Sequence, residues 1–382
     1  MSRPIHFYVQ GIPIRLGRLW LVVAVCLAVI TANSFAPPAA STTDATLWYI
    51  ATFAVALTCA LSLLTHELAH VWVARRVGGR VIRIEPYMFG ALTDDSYPPD
   101  SPRSEASVAA AGPLASLALG IALGVAWLLT RDAGRIVSLS VGFVALMNLT
   151  LGVANLLPAF PFDGGRLLRA FVWFLTGDLL TGTRVVSICG NFIALIGLVS
   201  GAVLLSHGNP LSVWGAWTVL AFWAVHREGR EGYARAVWRE ASRTMTIDEA
   251  GLANSSRVAA TRTIDDAIDD VLQGVVHGPL LVADPERRII GIVSLAQVRK
   301  VPRGLWPERL IGDVAAPLDG MPRASDGESI LDLLNRFDAT GAELILIETR
   351  GQITGAVDLE TTYAKVRARV REERIERRNR RK

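Results

Sequence analysis

The chain changes character near residue 226. Before that point its hydrophobic positions form long uninterrupted runs, and after it they come in short bursts between charged stretches. A helix that crosses a bilayer needs about 20 mostly apolar residues. Six stretches approach that length, 17–34, 47–73, 105–130, 136–159, 185–206 and the shorter 211–226, and each predicts a membrane span. Between the second and third, 80–97 alternates instead. Ile82, Ile84 and Pro86 fall on one side, Arg83, Glu85 and Tyr87 on the other, and a turn near Gly90 follows, which predicts a short β-hairpin.

The second half repeats itself. An amphipathic stretch near Thr263–Leu272 precedes an apolar run over 278–284, a turn at Pro285-Glu286 and a second run over 289–294. Ser329–Phe337 likewise precedes 343–348, a turn near Gly351 and 353–357. Helix, strand, turn, strand occurs twice, the sign of a repeated unit of about 60 residues. The expected fold is a polytopic α-helical membrane protein of about six transmembrane helices with a short membrane-associated hairpin, followed by a cytoplasmic α+β pair. The expected divisions are 1–226, a basic linker 227–242, the paired units 243–366 and a basic tail 367–382.

Composition supports the membrane class, since 51% hydrophobic residues and a mean hydropathy of +0.36 are too apolar for an ordinary soluble protein. The net charge of +4 does not point to nucleic acid. Residues 363–382 hold ten Lys/Arg and three Glu, so this tail carries +7 and the rest of the chain −3. Such a run is a solvated helix or chain end, or a patch attracted to anionic lipid. Cys26, Cys59 and Cys189 lie in apolar segments without CxxC spacing and read as small buried hydrophobes. The first apolar run lacks a small-residue cleavage pattern and is expected to stay as an anchor. Basic residues orient the spans. Arg15, Arg18, Arg75, Arg76, Arg80, Arg83, Arg103, Arg166, Arg169, Arg184, Arg227 and Arg230 fall on one side. The loops 35–46 and 207–210 have no Lys or Arg, and Arg131 and Arg135 break the pattern. The Arg-rich side is read as the cytoplasm, with both termini there.

Within the second span lies Thr65-His66-Glu67-Leu68-Ala69-His70. An ionisable group at the centre of a membrane helix costs on the order of 2.5–3.5 kcal/mol, so three within five residues require a compensating function. Residues i and i+4 share a helical face, so His66 and His70 can aim at one metal ion, with Glu67 beside them to take a proton from an attacking water. Glu67 lies eight residues before Arg75, about 12 Å along a helix, which sets the site inside the membrane toward the cytoplasmic face. A catalytic zinc takes a third protein ligand and keeps one position for water. His6, His207, His226 and His277 fall in termini, loops or the soluble half. The useful acid is Asp163, in a stretch Asn155–Arg166 whose Pro158, Pro161, Gly164 and Gly165 interrupt the fourth span. Irregular backbone at membrane depth is tolerated where it lines protein or a watery cavity, so Asp163 is expected in a loop that reaches the metal.

His-Glu-Leu-Ala-His at 66–70, Asn-x-x-Pro-x-x-Pro-x-Asp-Gly at 155–164 and Gly112-Pro113 between them resemble the site-two protease family, the intramembrane zinc metalloproteases that cut transmembrane proteins. The resemblance covers most of 1–226. It implies one Zn2+ per chain on His66, His70 and Asp163, Glu67 as general acid/base, Asn155 as a polar group near the reacting carbonyl, and a hairpin that pairs with the unwound substrate. Ser116 departs from the pattern, standing where many relatives have Asn. The implied substrate is a membrane-anchored regulator such as an anti-sigma factor or a pro-protein, cut after a first cleavage elsewhere. The repeated units resemble a tandem pair of cystathionine-β-synthase-type (CBS) domains, a regulatory module that often binds adenine nucleotides. Here Ser294 is followed by Gln297 rather than Asp, and Asp358 precedes Thr361, so nucleotide binding, homodimerisation and gating of the membrane site stand as alternatives. Two other classes compete: a CBS-regulated metal transporter and a catalytically inactive scaffold. A transport path needs polar groups on several spans across the bilayer, whereas these cluster near one face. A scaffold has no use for Glu67.

Overall fold

The apolar runs of the first half form helices, numbered here in chain order: α1 (Thr42–Arg76), α2 (Pro102–Thr130), α3 (Arg135–Ala154), α4 (Asp163–Thr176), α5 (Leu179–Ser206) and α6 (Leu211–Thr244). This computed structural model describes residues 5–9, 12–16, 42–78, 84–87, 90–93, 101–206, 211–272 and 278–379. Among the described residues, α1, α2, α3 and α5 are long and apolar enough to cross a membrane. The span expected at 17–34 lies outside the described residues. The one expected at 211–226 is the apolar first part of α6, which continues as helix to Thr244 through the stretch read as a linker.

Helix α2 is central to the membrane unit. Its start is fixed by Ser101, whose side chain accepts from the Ser104 amide in a reciprocal capping box, and by Pro102 in the first turn, where a missing N–H costs nothing. From there it packs on α1, α3 and α4. Small residues allow the approach, as at Gly120, where a Cβ would press into Leu149 of α3. Large apolar side chains such as Leu57, Leu61, Leu128, Phe192 and Leu195 face outward.

The expected hairpin is present as β3 (Ile84–Tyr87) and β4 (Gly90–Thr93), antiparallel from Ile84↔Thr93 to Tyr87↔Gly90, and β4 touches α1. The sequence pattern did not reveal that it belongs to a four-stranded sheet. Strand β1 (Ile5–Val9) pairs antiparallel with β2 (Ile12–Leu16), and β2 pairs parallel with β3.

The chain divides into two compact units, Met1–Tyr233 and Ala234–Lys382. The second contains the repeat. In its first copy, β5 (Arg257–Ala259) leads through α7 (Ile264–Leu272) to the hairpin β6 (Leu280–Ala283) and β7 (Ile289–Val293). After two short helices, α8 (Leu295–Val298) and α9 (Ile311–Val314), the second copy follows: β8 (Arg323–Ser325), α10 (Ile330–Thr340), and the hairpin β9 (Leu344–Thr349) with β10 (Gln352–Asp358). The closing helix is α11 (Leu359–Asn379). Each copy makes a three-stranded sheet in which the leading strand runs parallel to the next, and the hairpin is antiparallel. The expected helix, strand, turn, strand order is therefore preceded by one more strand, too short at three residues to show a period. In the β9–β10 turn, Arg350 and Gly351 have φ of 53° and 79°, the two positive values a tight two-residue hairpin turn requires. Helix α10 begins on a Ser329 cap and ends on Gly341 at φ 62°.

Candidate metal centre

Helix α1 carries His66 and His70 one turn apart on one face, and both are buried. Helix α3 ends at Ala154, where Asn155 caps it, and the chain turns through 155–162 before α4 starts at Asp163. Asp163 is thus the first residue of a helix and not part of a loop, as the prolines and glycines around it suggested. The broken stretch ends earlier because Gly164 and Gly165 fold back onto the turn: Gly164 N–H donates to Asn155 O at 2.6 Å and Gly165 N–H to Phe162 O at 3.0 Å. A Cβ on Gly165 would lie 2.7 Å from the Ala159 carbonyl carbon, and one on Gly164 would overlap Leu156 O. A carboxylate at this helix start also meets the positive end of the backbone dipole.

These elements bring the three predicted ligands together. Nε2 of His66 and Nε2 of His70 are 3.3 Å apart, and Asp163 Oδ2 lies 3.2 Å from the first and 3.1 Å from the second. A tetrahedron whose arms are about 2.0 Å, the length of a zinc bond to nitrogen or carboxylate oxygen, has edges of about 3.3 Å. The donor set therefore fits one small tetrahedral ion. All three residues are buried, and among the described residues they form the one cluster of His, Cys or acid groups able to hold a metal.

The outer atoms of the ligands are also held. Nδ1 of His70 lies 2.7 Å from Val108 O, and a carbonyl only accepts, so the proton sits on Nδ1 and Nε2 presents its lone pair. Nδ1 of His66 lies 2.9 Å from Ser116 Oγ. Arg166 Nη1 stands 4.0 Å from Asp163 Oδ1. Further along α4, Arg169 binds the buried Glu105 carboxylate of α2 through Nε at 2.6 Å and through Nη2, which ties the helix of the acid to the helix of Gly112.

Glu67 is buried next to His66 on α1. Asn155 is half-buried, and its amide donates to Leu151 O at 3.0 Å. Sequence reasoning missed Val108, Arg166 and the Glu105–Arg169 pair as parts of this site, and it singled out Ser116 without giving it a role. A backbone carbonyl leaves no trace in sequence. Ser116, though, lies four residues beyond Gly112 on the same helical face, a spacing that was there to be read.

The family model for peptidase family M50 matches residues 52–132 and 129–199, a region containing His66, His70 and Asp163. Rip3 of Mycobacterium tuberculosis, described as a zinc metalloprotease, is 31% identical over 293 residues, 76% of this chain and 74% of that protein. Among solved structures, a site-2 protease from Methanocaldococcus jannaschii is 25% identical, with a TM-score of 0.41 over 60% of this chain and 95% of that one. The CBS domain of a CBS-domain-containing membrane protein from Sphaerobacter thermophilus is 15% identical, with a TM-score of 0.28 over 35% of this chain and 95% of that one. On the extent and identity of the Rip3 match and the position of the family match, this chain belongs to peptidase family M50, the site-2 proteases.

Proposed function

We propose that this chain is an intramembrane zinc metalloprotease that hydrolyses peptide bonds of transmembrane proteins, with His66, His70 and Asp163 holding the ion and Glu67 serving as general base. The observation that carries the reading is the buried donor triad with separations of 3.1–3.3 Å. Zinc held there supplies Lewis acidity, polarising a carbonyl oxygen and making water a nucleophile near neutral pH. The chain's own groups do the rest. Glu67 follows a ligand and is turned about 100° from it on the helix, so its carboxylate takes a proton from the attacking water and returns it to the leaving amine nitrogen. The Val108 carbonyl keeps the His70 ring in one tautomer throughout. Asn155 offers its amide to the carbonyl under attack. The β3–β4 hairpin presents backbone N–H and C=O groups to a substrate helix that must lose its internal hydrogen bonds before its amide can be attacked. Purified protein in detergent is expected to cleave a membrane-anchored substrate of the anti-sigma-factor or pro-protein class. Cleavage should stop with a chelator and return with added zinc; cleavage indifferent to the chelator refutes the reading.

The catalytic unit is assigned to 1–226, joined through 227–242 to the paired CBS-type units of 243–366 and the basic tail of 367–382. The Arg-rich side, with both termini, faces the cytoplasm, because basic loops are retained there. In intact cells an impermeant thiol reagent should label a cysteine introduced at position 38 and not one at 240; the reverse pattern overturns the topology. The paired units regulate the membrane site or assemble the chain as a homodimer, and equilibrium binding of ATP to the full-length protein separates the nucleotide-sensing form of this reading from the assembly form.

A further inference from the structure

The two histidines of α1 are four residues apart, and the face of α2 that meets them repeats at the same interval: Val108, Gly112, Ser116. The helices run in opposite senses, so His70 meets Val108 and His66 meets Ser116. Gly112 stands between, and a Cβ there would lie 2.6 Å from His66 Nε2 and overlap the His70 ring. The glycine makes room for both rings, and its neighbours a turn away on each side hold their outer nitrogens.

The two holds differ in kind. His70 is fixed by a backbone carbonyl, which no substitution removes. His66 is fixed by a side chain with one hydrogen-bonding atom, and Ser116 is buried, with 2% of its surface exposed. We propose that Ser116 is a positioning residue of the metal centre: its hydroxyl accepts from His66 Nδ1–H, sets the ring's rotation and leaves Nε2 free for the ion. The proposal rests on His66 being a ligand. A hydroxyl is well suited to this place because it rotates to meet the ring and is short enough for two helices separated only by a glycine.

The test uses the full-length protein in detergent, with zinc affinity measured by competition against a chromophoric chelator and with the visible absorption of the cobalt-loaded protein. Ser116→Ala removes one oxygen and adds no bulk; it should weaken zinc by about 10–100-fold, the usual effect of losing a hydrogen bond to a ligating imidazole, and change the cobalt spectrum. Ser116→Thr keeps the oxygen, and Ser116→Asn offers an amide carbonyl to the same nitrogen; at least one of the two should recover most of the affinity. Wild-type affinity in Ser116→Ala overturns the proposal. So does loss of affinity in Ala, Thr and Asn variants alike, which would make Ser116 a packing residue. His66→Ala is the control: if zinc persists there too, the metal assignment fails and not merely this refinement of it.

Discussion

The two units of this chain differ in which large and which ionisable side chains they bury. Among the described residues, the ten largest fully buried side chains, Ile247, Ile264, Leu281, Ile292, Ile311, Ile330, Leu333, Ile345, Leu346 and Ile347, all belong to the second unit. The first unit buries His66, Glu67, His70, Glu105, Ser116, Asn148 and Asp163, and turns large apolar residues such as Phe53, Leu61, Phe192 and Leu195 outward. Solvent explains the contrast. In water, removing apolar area is worth roughly 25 cal/mol per Å², so the second unit collects its Ile and Leu in the centre. In lipid a leucine gains little by moving inside, so helices pack through small residues and polar contacts. A polar group in such an interior is costly unless satisfied, so the polar interior of the first unit is where the proposed chemistry is sought. The interior of the second is mostly apolar, with Ser242 and Thr362 as buried polar exceptions.

That contrast is broken most directly at the ligands. Alanine at His66, His70 or Asp163 should deplete zinc, which metal analysis reads, and should abolish cleavage, while the second unit keeps its unfolding transition. Unchanged zinc in all three variants would remove the distinction between the two interiors. A smaller effect separates the two solvents. Leu346→Ala, in the second unit, should destabilise that unit by about 2–5 kcal/mol with zinc retained, whereas Leu195→Ala, on the outward face of α5, should change stability by no more than about 0.5 kcal/mol in a bilayer. Thermal unfolding of the protein in nanodiscs checks both; equal losses would mean that Leu195 does not face lipid.

Much of this was legible in the sequence because the strongest signals there are local. His66 and His70 sit one helical turn apart in a hydrophobic run, and no packing knowledge is needed to see that they share a face. The repeated helix and hairpin of the second half showed in amphipathic spacing and in turn residues such as Gly351. Long-range placement was less visible. Prolines dominate the neighbourhood of Asp163 and point to a loop, yet it starts α4, since Gly164 and Gly165 let the helix begin against the backbone of residues 155–159. Strands β5 and β8 are too short for periodicity, and β1 and β2 precede the first apolar run without a pattern that marks them as partners of β3. Val108 acts through its carbonyl, which its identity as valine does not encode. The Glu105–Arg169 pair joins residues 64 positions apart, a separation at which spacing carries no information.

The central claim is that the membrane unit is a hydrolytic site and not only a metal-binding one, and Glu67 separates the two. Glu67→Gln keeps the size of the side chain and removes the carboxylate, so the fold and the zinc content should match wild type. Loss of a general base costs about 10²–10⁴-fold in rate. The measurement is zinc content together with cleavage of one transmembrane substrate, in wild type and Glu67→Gln side by side. Zinc retained with cleavage reduced to background is the predicted result; cleavage near the wild-type rate would show that Glu67 is not the base and would contradict the mechanism.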